Sequence, residues 1–169
     1  MQTAFLHFAY RTDCLNKAFC LGLLSLVFLA QFTVVMLRYL FNIGFIQLQD
    51  TVSYSFAVLC ILAVPTALRS DAHVRVDIFR AEQSPATARR FDVAAVIFFL
   101  IPVFGLTLWH AYPLVAYSWS IFEGSRETGG LPGFFLVLTA LPITCALALI
   151  QGLAILLDSK ILSEKEAAS

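Results

Sequence analysis

The chain alternates between four long apolar runs and short polar segments that carry most of its charge. Each run comes close to or exceeds the ~20 apolar residues, rising ~1.5 Å each, with which a helix crosses a ~30 Å hydrocarbon core. Helices also satisfy every backbone polar group internally, as lipid requires. The pattern therefore predicts an all-α integral membrane protein, a single domain over residues 1–169 with four transmembrane helices. The predicted spans cover residues 18–37, 51–68, 93–117 and 131–157.

The composition supports a membrane protein rather than a soluble one. Hydrophobic residues make up 60% of the chain and charged residues 13%, and the mean hydropathy is +0.84. A soluble domain carries about 25% charged residues. The formal net charge is zero, so no overall field attracts nucleic acid, and we expect the chain to contact membrane lipids and no nucleic acid.

The distribution of basic residues predicts the orientation in the membrane. Nine of the eleven Lys and Arg residues lie in the two terminal tails or in the connection between spans two and three. The positive-inside rule places these three segments in the cytoplasm. An even number of spans agrees with two cytoplasmic termini. Aromatic residues at the far end of span three, Trp109 to Trp119, fit the opposite interface.

The charged connection between spans two and three is predicted to form a short helix over residues 71–83 on the cytoplasmic surface. Its Asp71–Arg75 and Asp77–Arg80 pairs have the spacing that stabilises a helix. Alternating apolar and polar residues from Val74 to Ile78 would equally suit a strand. A lone strand at the membrane surface would leave its backbone unpaired, so the interfacial helix is preferred.

The predicted spans contain no ionisable residue in their interior. A charge there costs at least ~2.5–3.5 kcal/mol, so its presence would indicate an ion or solute site. Gln31 and Gln151 are the strongly polar side chains inside spans, and interhelical hydrogen bonds are expected to explain them. His73 and His110 fall at opposite faces in this topology, so they would not hold one haem. We expect no enzyme activity, cofactor or metal site.

Small side chains recur every four residues along span four. Such a stripe lets another helix approach closely. The partner helix could belong to this chain or to a separate membrane subunit, and the sequence leaves both open. The stripe consists of Ala140, Thr144, Ala148 and Gly152.

Three short motifs occur in an order that resembles a known family. Arg38-Tyr39-Leu40-Phe41-Asn42 follows span one, Gln49-Asp50 opens span two, and Arg69 precedes Ala72-His73-Val74-Arg75-Val76-Asp77. Together they resemble the small membrane subunit of tripartite ATP-independent periplasmic (TRAP) transporters. The chain departs from the family at Gln49, which replaces a common acid, and at Pro65, which replaces a small residue.

The resemblance implies a non-catalytic subunit in the cell inner membrane. In that family a large membrane subunit carries the substrate and sodium sites, and a periplasmic binding protein delivers an organic acid. The motif residues would then be structural or interface positions, although helix capping and anchoring to lipid headgroups would explain them too. Two other hypotheses are a self-sufficient homodimeric exporter, whose usual acid in span one is missing here, and a membrane redox or anchor subunit. The motif residues concerned are Arg38, Asp50, Arg69, His73 and Asp77.

Overall fold

Four long helices form the described part of the molecule. The computed structural model describes residues 2–69, 90–91 and 93–167, and side chains within 5–68, 90–91 and 93–157. Each helix is long and apolar enough to cross a membrane, which confirms the predicted all-α membrane fold. The interfacial helix predicted at 71–83 lies outside the described residues, and the cytoplasmic placement of both termini stays a prediction. The helices are α1 (Gln2–Phe41), α2 (Ile46–Arg69), α3 (Ile101–Ser120) and α4 (Phe134–Ala167).

Helix α1 begins far before the span predicted for it. It starts at Gln2 instead of residue 18 and runs for 40 residues, about 60 Å at the usual helical rise. That is about twice the thickness of the hydrocarbon core. Polar residues in its first half do not end the helix, because Asp13 and Lys17 form an ion pair one turn apart at 2.9 Å.

Helix α3 continues from a π-helical turn, Val96–Leu100. The N–H of Ile101 donates to the carbonyl of Val96, five residues back. Pro102 follows directly, and it has no N–H to donate to the carbonyl of Phe98 one turn earlier. Such a π-turn keeps the backbone groups bonded while it shifts the face of the helix.

Helix α4 lies at the centre of the packing. It contacts α2 on one side and α3 with its π-turn on the other, while α1 packs mainly on α2. In the most apolar window of α4, 39% of residues are buried within the chain, against 0% in α1. Helix α1 therefore leaves the largest share of its surface for lipid or another protein.

Candidate functional site

A buried proline in α2 changes the hydrogen bonding of the helices around it. Pro65 is fully buried, and its missing N–H leaves the carbonyl of Ile61 without its usual helical partner. The hydroxyl of Thr144 on α4 donates to that carbonyl at 3.1 Å. The side-chain amide of Asn16 on α1 donates to the next carbonyl, that of Leu62, at 2.7 Å. We call these five residues the Pro65 cluster.

The Pro65 cluster joins three helices through backbone carbonyls of one of them. Asn16 also donates to the hydroxyl of Thr66 at 2.8 Å, so its amide binds α2 twice. A carbonyl in hydrocarbon has no water to bond, and a neighbouring helix commonly supplies the donor near a proline. Each such bond is worth roughly 0.6 kcal/mol on average and up to about 1.7. The cluster therefore fixes α1 and α4 on α2 at one register.

A further bond connects α4 with the first half of α1. The side-chain amide of Gln151 donates to the carbonyl of Ala9 at 3.0 Å, and both residues are buried. The interhelical hydrogen bond expected of Gln151 is thus present. It also explains why α1 remains helical and packed well before residue 18.

The small-residue stripe of α4 lies in the interior of the chain. All four of its residues are buried. Thr144 contacts α2 through its hydrogen bond. At Gly152, an added Cβ would lie 2.7 Å from Leu100 Cδ2 and 3.5 Å from Val96 Cγ1. Of the two alternatives, packing within this chain is the one that these contacts support.

Asp50 holds the loop between α3 and α4, residues 121–133, against the start of α2. We call it the outer loop after the orientation predicted from the sequence. Its carboxylate accepts the N–H of Leu131 at 2.8 Å. The hydroxyl of Tyr54, one turn later, donates to the carbonyl of the same Leu131 at 3.1 Å. Gly130 lies so close to the Asp50 carboxylate and to Ser125 that a Cβ there would collide with both. A single buried carboxylate is enough for this contact, and Gln49 beside it is exposed.

The other end of the outer loop is held by Glu123. Its carboxylate accepts the hydroxyl of Ser118 at 2.7 Å, and its carbonyl accepts the N–H of Phe135 at 3.3 Å. The indole N–H of Trp119 donates to the hydroxyl of Thr139 at 3.0 Å, and its ring packs edge-on against Phe135. These contacts tie the end of α3 to the first turns of α4.

Replacing Asp50 by alanine is expected to loosen the outer loop. The change removes a charged acceptor from the part-buried N–H of Leu131, a loss of about 1.5–3 kcal/mol. We expect trypsin to cut faster at Arg126, which is exposed in that loop. Asp50→Asn keeps an acceptor oxygen and should fall in between, while Gln49→Ala should leave the cleavage rate unchanged. Equal rates for Asp50→Ala and Gln49→Ala would contradict this role of the carboxylate.

The structure does not bring all candidate residues of the sequence together. Arg38 lies exposed in the last turn of α1, far along the chain from the Pro65 cluster. Arg69 is the last residue of α2. Its side chain, together with His73 and Asp77, lies outside the described residues. Among the residues that are described, no three His, Cys, Asp or Glu side chains form a possible metal site.

Among the residues of these contacts that are absent from the sequence predictions are Asn16, Tyr54 and Glu123. For Tyr54 and Asn16, the spacing in the sequence could have indicated a shared helix face. Tyr54 lies four residues after Asp50, so the two side chains share a helix face. Asn16 lies seven residues after Ala9, on the face that is buried. No spacing in the sequence points to Glu123.

Comparison with known proteins gives one match. The family model described as "Tripartite ATP-independent periplasmic transporters, DctQ component" matches residues 27–159. The match includes the whole of α2, the outer loop and most of α4. No curated protein and no solved structure matches the chain.

Proposed function

The chain belongs to the DctQ family, the small membrane component of TRAP transporters, and from this premise we propose that it braces the large membrane subunit. The transporter would use a sodium gradient to take up an organic acid that a periplasmic binding protein delivers. The small subunit would lie in the inner membrane, carry no substrate or sodium ligand, and hold its partner in a fixed position.

The hydrogen bonds of the buried polar side chains support a bracing role. Asp50, Thr144 and Gln151 each bond a backbone group of another part of the chain. Asn16 does the same. Polar groups that already hold helices and loops together are not available to replace the hydration shell of a solute. A subunit built in this way supports a neighbour that carries the solute site.

The α1 surface supports the proposed partner. This helix has the least buried apolar window of the four, although its buried polar contacts fix it firmly on α2 and α4. A rigid helix with a large free apolar face suits contact with another membrane protein, where packing and interhelical hydrogen bonds drive association.

Affinity capture from the native membrane tests this proposal. The chain would carry a C-terminal tag, and its membrane would be dissolved in a mild detergent. We expect one large polytopic membrane protein to co-purify in a fixed ratio, and an unrelated tagged small membrane protein should not capture it. A chain that purifies only as a homodimer and catalyses proton-coupled efflux by itself would instead support the exporter hypothesis.

A further inference from the structure

Gln31 lies on a stripe of α1 that carries polar residues at both ends. Lys17, Leu24, Gln31 and Arg38 follow one another at intervals of seven residues, which is about two helical turns and places them on one face. All four side chains are exposed in the chain by itself. We call these residues the Gln31 stripe.

Gln31 differs in its hydrogen bonding from other polar side chains of the membrane helices. The hydroxyls of Ser25 and Thr33 donate to carbonyls of their own helix one turn earlier, at 3.0 and 2.8 Å. The amide of Gln151 reaches another helix. Within the part of the chain that the structure describes, the side chain of Gln31 makes no hydrogen bond.

An amide at this depth needs a partner. Gln31 lies seven residues before Arg38, or about 10 Å further along the helix axis, and so inside a core that is about 30 Å thick. Transfer of an amide to a medium without hydrogen-bonding groups costs about 4–8 kcal/mol. Lipid tails offer no donor or acceptor, so another protein segment must supply one.

A second copy of this chain does not suit the stripe. Two copies with the same orientation would pair across a twofold axis, so each stripe would meet itself. Arg38 would then face Arg38 of the other copy, whereas Lys17 is paired with Asp13 of its own chain. Like charges that face each other are destabilising. The partner helix must therefore differ from α1.

We propose that the Gln31 stripe is the face through which α1 docks on a membrane helix of the large subunit. That helix presents a hydrogen-bonding side chain or a freed backbone group at the depth of Gln31, and an apolar surface beside Leu24. At the two ends it presents neutral or acidic groups toward Lys17 and Arg38. This proposal rests on the proposed function, and it adds the surface through which the chain would hold the large subunit.

The first test compares Gln31→Leu with Thr33→Val in the intact complex. The two positions lie two residues apart and on opposite faces of α1, at about 100° per residue. Gln31→Leu is expected to lower the amount of large subunit retained on the tagged chain about threefold, the effect of an average interhelical hydrogen bond. Thr33→Val should retain as much as the native chain. The melting temperature of the isolated chain should not fall in Gln31→Leu, because Gln31 makes no side-chain hydrogen bond among the residues that the structure describes.

The second test maps the neighbour directly. Leu24 and Leu26 are both exposed leucines, 53% and 45% accessible, and they point about 200° apart around the helix. A photoreactive benzoylphenylalanine in place of Leu24 is expected to crosslink to the large subunit, and one in place of Leu26 only to lipid. Crosslinks from position 24 to a second copy of the chain, or to lipid alone, would overturn the proposal.

The two tests separate the proposed face from the proposed function. If the large subunit co-purifies but crosslinks only from position 26, or is retained equally by Gln31→Leu, the face is wrong and the bracing role stands. If no large subunit co-purifies with the native chain, the bracing role fails and the docking face fails with it.

Discussion

Replacing Gly152 by leucine is expected to separate α3 and its π-turn from α4. A Cβ at this position already lies 2.7 Å from Leu100 Cδ2, and leucine adds three more carbon atoms in the same direction. Leu100 is buried and has little room to withdraw. Overpacking of this kind costs about 1–3 kcal/mol and sometimes more. We expect a lower melting temperature in detergent and a lower yield of folded protein.

Gly22→Leu is the matched control for this variant. Gly22 also lies in a membrane helix, but an added Cβ meets nothing within 4 Å. Leucine there should not lower stability, since it favours the helix by up to ~1 kcal/mol relative to glycine. If Gly152→Leu melts at the same temperature as Gly22→Leu, then α3 does not pack on α4 at this glycine.

A second expected effect is the coupling between the proline and the threonine of the Pro65 cluster. Thr144→Val removes the donor to the Ile61 carbonyl and keeps the shape of the side chain. We expect it to destabilise the native chain by about 0.6–1.7 kcal/mol. In a Pro65→Ala background the same change should cost almost nothing, because residue 65 then has an N–H that can bond the Ile61 carbonyl itself. The coupling between the two positions is measured by a double-mutant cycle.

Thr107→Val serves as the control for loss of a hydroxyl. Thr107 donates to the carbonyl of Val103 in its own helix at 2.7 Å, and its removal should cost the same in both backgrounds. An equal cost of Thr144→Val with proline and with alanine at position 65 would show that the threonine does not compensate for the missing N–H. Unfolding in detergent, followed by circular dichroism, measures the change in unfolding free energy with proline and with alanine at position 65.

The hydrophobic pattern predicts the four helices, but it does not predict the length of α1. Apolar runs set the spans because only a helix of that length satisfies its backbone across a bilayer. The first half of α1 has lower hydropathy, since it contains Asp13, Asn16 and Lys17. These residues stay helical through an ion pair and through bonds to α2, and such contacts depend on helices distant in the sequence.

The contacts of the candidate residues were predictable only in part. The sequence marks Pro65 as a helix breaker and Thr144 as one member of a small-residue stripe. It does not indicate that the hydroxyl of Thr144 binds the carbonyl of Ile61 that Pro65 leaves free, since Thr144 and Ile61 lie 83 residues apart. Asp50 was expected to be structural or to lie at an interface. Its partner in the outer loop, 81 residues away, follows from the packing of α2 beside α4.

We propose that this chain supports a transport-competent partner and does not transport by itself. Reconstituted uptake tests it most directly. The co-purified large subunit would be placed in proteoliposomes with and without this chain, together with the periplasmic binding protein, a labelled organic acid that it binds, and an inward sodium gradient. We expect uptake only when both membrane subunits are present. Undiminished uptake by the large subunit alone would contradict it.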